Sequence, residues 1–237
     1  PYATKLSMEY SSCRDCSSVF VSSRPNQESL DRFFHDSEAR RYWLTELWNE
    51  TQKVRHDKVL EPLKTWIETF VAETFPGTAP VRIADYRANS WGLWETLNEG
   101  GGRLKAELVQ PMFDSSLRSG GVGSVPAANA TKYQAVCLVD TLGRVEDPGA
   151  ALKWAADHLD KGGLCFVTTV FSTGFDVLAL GADSNALVPP DRLNLLSFEG
   201  FQSLIAKSGM EVIEMSTPGV LDLQNVQAAM AQGAQVP

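Results

Sequence analysis

The sequence predicts an α/β protein with a mostly parallel, doubly wound sheet, preceded by a helical N-terminal segment. Two observations carry this. Short apolar runs of strand length alternate with capped helical stretches from residue 77 onward, which is the pattern of βα units. Before residue 77 the apolar residues recur at helical spacing instead. The 237-residue chain is 43% hydrophobic and 21% charged, ordinary for a globular protein.

Residues 1–25 are polar and serine-rich, with one short strand candidate at 18–22. Asn26 is a natural N-cap, and Glu28 and Asp31 favour the start of a helix after it. Residues 27–75 read as mostly helical. Leu60, Leu63, Trp66, Ile67, Phe70 and Val71 form one apolar face, and Pro62 should divide the stretch into at least two helices. Strands are expected at 81–84, 104–109, 135–139, 164–171 and 210–215. Helices are expected at 91–98, at 148–159 with Pro148 in the first turn, and at 197–208 between a Ser197 cap and a Gly209 stop. Residues 111–132 read as a loop.

A net charge of −8 argues against a nucleic-acid-binding surface. No apolar run approaches the roughly 20 residues needed to span a bilayer, and the N-terminus lacks a signal-peptide pattern. The default expectation is cytoplasmic. His158, near a helix end, reads as a dipole partner, and Cys137 and Cys165 as small buried hydrophobes.

Residues 133–169, YQAVCLVDTLGRVEDPGAALKWAADHLDKGGLCFVTT, resemble the centre of a class I S-adenosylmethionine-dependent methyltransferase. The resemblance rests on a strand ending in Asp140, the segment Val145-Glu146-Asp147-Pro148, and Lys161-Gly162-Gly163-Leu164 opening the next strand. Residues 13–34 and 174–225 are similar to parts of the sugar and polysaccharide-locus members of that family, the first to half of an N-terminal zinc ribbon. The resemblance implies a Rossmann-like domain over residues 77–237, a helical segment over 26–76 and a ribbon remnant over 1–25.

It also locates positional equivalents of the cofactor site. If Asp85 is the acid after the first strand, the family's glycines fall at Arg87, Asn89 and Trp91, all with side chains where bare backbone should meet the cofactor. Gln110 stands where an acid holds the ribose hydroxyls, and Asp140 at a strand end where open α/β sheets bind ligands. Residues 119–130 contain no acid for the adenine, and Gly143-Arg144 replace a Glu-His pair. S-adenosylmethionine is therefore expected to bind weakly or not at all. Cys13 and Cys16 are candidate metal ligands. A structural zinc needs four ligands, however, and residues 1–12 offer no cysteine or histidine, so zinc is not expected.

The reading is a non-catalytic methyltransferase homologue serving as a structural or partner-binding subunit, its partner another protein or a second copy of the chain. The alternative is an active methyltransferase with altered cofactor contacts, acting on a sugar, nucleotide-sugar or small metabolite.

Overall fold

The computed structural model describes residues 2–26, 29, 32–33, 36–42, 45–46, 53–86, 93–109, 131–217 and 220–233. The chain divides into two compact units: Pro1–Pro25, Leu142–Lys153 and Thr169–Pro237 form one, and Asn26–Thr141 with Trp154–Thr168 the other.

The second unit holds the expected parallel sheet. Strands β4 (Val81–Tyr86), β5 (Leu104–Val109), β6 (Tyr133–Val139) and β7 (Leu159–Thr168) run in the order β5-β4-β6-β7, and every described pairing is parallel. The central strands β4 and β6 are predominantly apolar, as a sheet covered on its faces requires, while β5 alternates with the exposed Lys105 and Glu107. One cover is helix α2 (Glu61–Thr74), which follows the short described helix α1 (Glu38–Tyr42). Its Ile67 and Val71, with Leu60 just before it, are buried in one cluster with Ile83, Ala135, Cys137 and Phe166. The Trp66 ring stands edge-on to Phe70 at 5.4 Å and to Phe166 at 5.3 Å, a favoured aromatic geometry. Pro62 does not split the stretch into separate helices. The helical backbone runs on through it, and the widened π-helical turn His56–Leu60 just before it is where the hydrogen-bond ladder changes register.

Helix α3 (Leu93–Asn98) follows β4, and α4 (Pro148–His158) leads directly into β7. That strand begins five residues earlier than expected because the glycine pair lies inside it. Two steps on β6, Tyr133 to Ala135, are matched by five on β7, Leu159 to Leu164. Gly162 has φ +77°, and a Cβ on Gly163 would stand 3.0 Å from the Gln134 carbonyl oxygen and 2.9 Å from that of Asp160. The pair thus permits a bulge rather than ending a helix.

The first unit is built on an antiparallel sheet, β1 (Ala3–Lys5), β2 (Met8–Ser12), β3 (Val19–Val21) and β8 (Asn194–Leu195), in that order. Only β3 was expected. Tyr10, Val21, Val177, Leu187 and Leu195 form its core, and the buried Tyr10 hydroxyl donates to the Arg192 carbonyl oxygen at 2.5 Å. Helices α5 (Phe175–Leu180), α6 (Phe198–Ser208) and α7 (Val220–Ala231) complete it. Ser197 caps α6 by accepting from the Gly200 N–H, and Gly209 closes it in the left-handed conformation, both as expected. The strand expected at 210–215 is absent. These residues are irregular, and Ile213 is 70% exposed. The apolar residues Met210, Val212, Ile213 and Met215 show what a strand could bury, but this segment pairs with no described edge. None of the described helices is long and apolar enough to cross a membrane.

Candidate functional site

In the parallel sheet β4 leads to β5 on one side, while β6 lies on the other. The strand order therefore reverses between β4 and β6, and the crevice at their carboxyl ends is where such sheets bind ligands. Asp85, Tyr86, Asp140 and Thr141 stand at this edge.

Asp85 pairs in register with Cys137 and alternates with Val81 and Ile83, so its side chain lies on the face covered by α2. It is fully buried. Tyr86 points to the opposite face, its ring 4.9 Å from Trp154, and burial pushes its phenol up to about 12. Asp140 turns the chain out of β6 with φ +52°, a left-handed conformation that Asp tolerates better than most residues. Its N–H donates to the Thr168 carbonyl oxygen at 2.9 Å and reaches the Thr168 hydroxyl at 3.0 Å. The next residue, Thr141, is fully buried and donates its hydroxyl to the Tyr86 carbonyl oxygen at 3.0 Å, linking the ends of β4 and β6. Tyr86 and Thr141 were not singled out from sequence. A strand-end tyrosine or a threonine after an acid carries no motif, and only the register brings the two together.

The remaining expected cofactor positions, Arg87, Asn89, Trp91 and Gln110, lie outside the described residues. Glu107, near Gln110 in sequence, accepts from the Tyr133 hydroxyl at 3.3 Å. His158 is the last residue of α4. It is buried, stacked on Trp154 at 4.0 Å, and its Nδ1 lies 2.8 Å from the Trp154 carbonyl oxygen.

Gly143 and Arg144 belong to the first unit, and there both have structural partners. The Gly143 carbonyl oxygen accepts from the N–H groups of Leu193 at 2.7 Å and Asn194 at 3.0 Å. A Cβ on Gly143 would stand 3.2 Å from the Asn194 carbonyl oxygen. The buried Arg144 guanidinium grips Asp191 with two donors, Nε to Oδ1 at 3.1 Å and Nη2 to Oδ2 at 2.8 Å, the bidentate fork that arginine is shaped for.

Cys13 and Cys16 are free thiols on a turn closed by the Ser17 N–H donating to the Cys13 carbonyl oxygen at 3.0 Å. Cys16 Sγ lies 3.2 Å from the Ser18 hydroxyl, and hydrogen bonding to Ser18, ahead of smaller contributions from Cys13 and Ser197, lowers its pKa. The three-residue group among the described residues with ligand atoms close enough for a metal ion contains neither cysteine: it is His56, Glu61 and Glu99. An open groove lies at the opposite edge of the parallel sheet, at the amino ends of β4, β6 and β7, lined by Arg82, Lys132, Gln134 and Asp160 among others. It is remote in register from the switch-point crevice.

No curated protein matches the chain. Among solved structures it is similar to the plantazolicin methyltransferase BpumL in complex with SAH, at 13% identity over 89% of this chain and 91% of that one, with a TM-score of 0.45. It is also similar to the N-terminal domain of EvdMO1 in the presence of SAH and D-fucose, at 16% identity over 66% and 77%, with a TM-score of 0.40. A family model described as a methyltransferase domain matches residues 65–215. That span is more than half of the chain and contains the whole of the 133–169 resemblance, and the chain belongs to this methyltransferase-domain family.

Proposed function

We propose that this methyltransferase-family chain has a degraded S-adenosylmethionine site and acts as a non-catalytic subunit that binds a protein partner or a second copy of itself. One observation carries the reading: the loop after β6, where the family places catalytic and cofactor-contacting groups, has its polar groups committed to the fold. The Thr141 hydroxyl holds Tyr86, the Gly143 carbonyl holds Leu193 and Asn194, and Arg144 holds Asp191. A group already satisfied in a buried contact must give that contact up before it can serve a ligand. Arg87, Asn89 and Trp91 add bulk in place of glycines, and Gln110 offers the ribose no charge-assisted hydrogen bond.

The test is calorimetric titration with S-adenosylmethionine and with its demethylated product. The expected dissociation constant is about millimolar or weaker, near −4 kcal/mol. Losing two charge-assisted bonds of about 1.5–3 kcal/mol each brackets the roughly 4 kcal/mol that separates a micromolar site from a millimolar one. Micromolar binding, with the two ligands competing, overturns the proposal. Light scattering of the purified chain then separates a second copy from a different protein as the partner.

A specific observation keeps a second reading, an active methyltransferase on a small-molecule substrate. Both acids of the pattern, Asp85 and Asp140, are retained at the carboxyl ends of the neighbouring strands β4 and β6. The variant Arg87→Gly/Asn89→Gly/Trp91→Gly discriminates. Recovered cofactor affinity means that side chains closed an otherwise intact site. Tight binding already in the unchanged chain means that the enzyme reading is correct.

A further inference from the structure

In an α-helix, residues five apart point about 140° away from each other at 3.6 residues per turn. The π-helical turn His56–Leu60 removes that offset. The Glu61 N–H donates to the His56 carbonyl oxygen, an i to i+5 bond, which stacks the two residues on one face. Glu61 then opens α2. A third group arrives from a separate element, the 3₁₀ turn Glu99–Gly101 after α3, where Gly100 at φ +80° reverses the chain.

The three side chains converge on one point. His56 Nε2 lies 3.4 Å from Glu61 Oε1 and 3.7 Å from Glu99 Oε2, and the three ligand atoms all lie within 4.8 Å of one another. Both His56 distances are long for a hydrogen bond. They are close to the edge of a tetrahedron around zinc, about 3.3–3.6 Å for bonds of about 2.0–2.2 Å. The other imidazole nitrogen is already buttressed. His56 Nδ1 lies 3.2 Å from Asp57 Oδ1, and Lys53 Nζ holds the other Asp57 oxygen at 2.6 Å. With Asp57 on Nδ1, Nε2 is the nitrogen that faces the two glutamates, and an ion would take it in exchange for its proton, which is how metal-binding histidines are oriented in protein sites. The side chains are 37%, 41% and 55% exposed, which leaves a path for an ion and room for water on it.

We propose that His56, Glu61 and Glu99 form a divalent-metal site of the zinc class, with Asp57 as the orienting partner of His56 and a fourth position open to water. One imidazole and two carboxylates suit zinc, cobalt(II) or manganese(II) better than the all-oxygen preferences of calcium and magnesium, or the thiolate preference of copper(I). The ion cross-links the start of α2 to the turn after α3, two segments that flank the same apolar core. This site is independent of the cofactor reading above.

The test starts from chelator-treated protein carrying Cys13→Ser/Cys16→Ser, so that the C-x-x-C cannot contribute. Cobalt(II) is titrated by visible absorption and zinc by calorimetry. The expected result is one ion per chain, with ligand-field bands and no thiolate charge transfer, and a melting temperature that rises with zinc. Glu99→Gln and His56→Ala should each weaken binding more than tenfold, and Asp57→Asn about tenfold. Absence of binding in the cysteine-free protein overturns the site. So does binding that survives both ligand substitutions. If His56→Ala lowers the melting temperature in chelator, Glu99→Gln decides alone, because Glu99 is the most exposed of the three ligands.

Discussion

Cys16 and the strand cysteines Cys137 and Cys165 should react at different rates, although of the two expected buried thiols only Cys137 is fully buried and Cys165 is partly exposed. Desolvation is the main cause in both Cys137, whose pKa lies well above the usual thiol value, and Cys165, pushed up to about 12. Cys16 is shifted the other way, chiefly by its hydrogen bond to Ser18. Since the thiolate is the nucleophile, a lowered pKa means a larger reactive fraction at neutral pH. Alkylation of the native protein at pH 7, followed by peptide mapping, should therefore label Cys16 before Cys137 and Cys165. Labelling of Cys137 at a comparable rate would show that its strand is not the closed core element described. A second residue-scale expectation concerns the Arg144–Asp191 pair. Asp191→Asn removes the carboxylate that accepts two hydrogen bonds from a buried guanidinium, which should cost about 3 kcal/mol by denaturant unfolding. A change within about 0.5 kcal/mol, the range of ordinary surface substitutions, would rule out a structural role for the pair. Sequence alone reads Gly143-Arg144 as a lost Glu-His pair. The use these residues are put to instead was not legible, because Asp191 and Asn194 lie some fifty positions away and only folding brings them together. Asp85 and Asp140 were legible as strand-end acids, but the burial of one and the left-handed backbone of the other were not.

Elements were legible where local physics determined them. Strand β5 has the expected bounds, set by alternating apolar and charged residues, and β4 and β6 each extend the expected run by two residues, because an apolar run between polar turns specifies a buried strand. The hairpin β1–β2 was missed for a definable reason. Its two-residue turn, Leu6-Ser7, has φ of 48° and 62°, the conformation usually signalled by Asn-Gly or Asp-Gly. With neither residue pair present, the turn left no mark in the sequence. Strand β7 overlaps the expected 164–171, but it starts at Leu159, in residues whose sequence signals a helix end and a glycine stop, and it ends at Thr168. The bulge makes a testable distinction between two glycines of the same unit. Gly163→Ala places a Cβ against two backbone carbonyl oxygens, which cannot move without shifting β6 or the bulge, and should cost about 1–3 kcal/mol. Gly102→Ala has open space around its Cβ and φ −63°, and should leave stability nearly unchanged. Equal effects in thermal unfolding would show that the close approach at Gly163 is not a constraint.

At the scale of the molecule, each unit has its own apolar cluster, and the clusters share no residue. In the first unit, residues 1–25 supply three of the four sheet strands and Tyr10, Val19 and Val21 of the core. They are integral to that unit rather than an attached tail. Removing residues 1–25 strips β8 of its neighbour β3 and exposes Val177, Leu187, Leu193 and Leu195, all now nearly inaccessible to water. At about 1.5–3 kcal/mol for each large apolar side chain, that exposure is comparable to the whole stability of a small folding unit. The truncated chain should therefore lose amide protection over residues 170–208, while β4 to β7 keep theirs, because the cluster joining α2 to the parallel sheet contains no residue from 1–25. Hydrogen exchange read by peptide distinguishes the outcomes. Unchanged protection over 170–208 would mean that β8 and its helices stand without β1 to β3. Loss of protection throughout would mean that the two clusters unfold as one cooperative unit, and that the parallel sheet depends on the N-terminal strands through more than its own core.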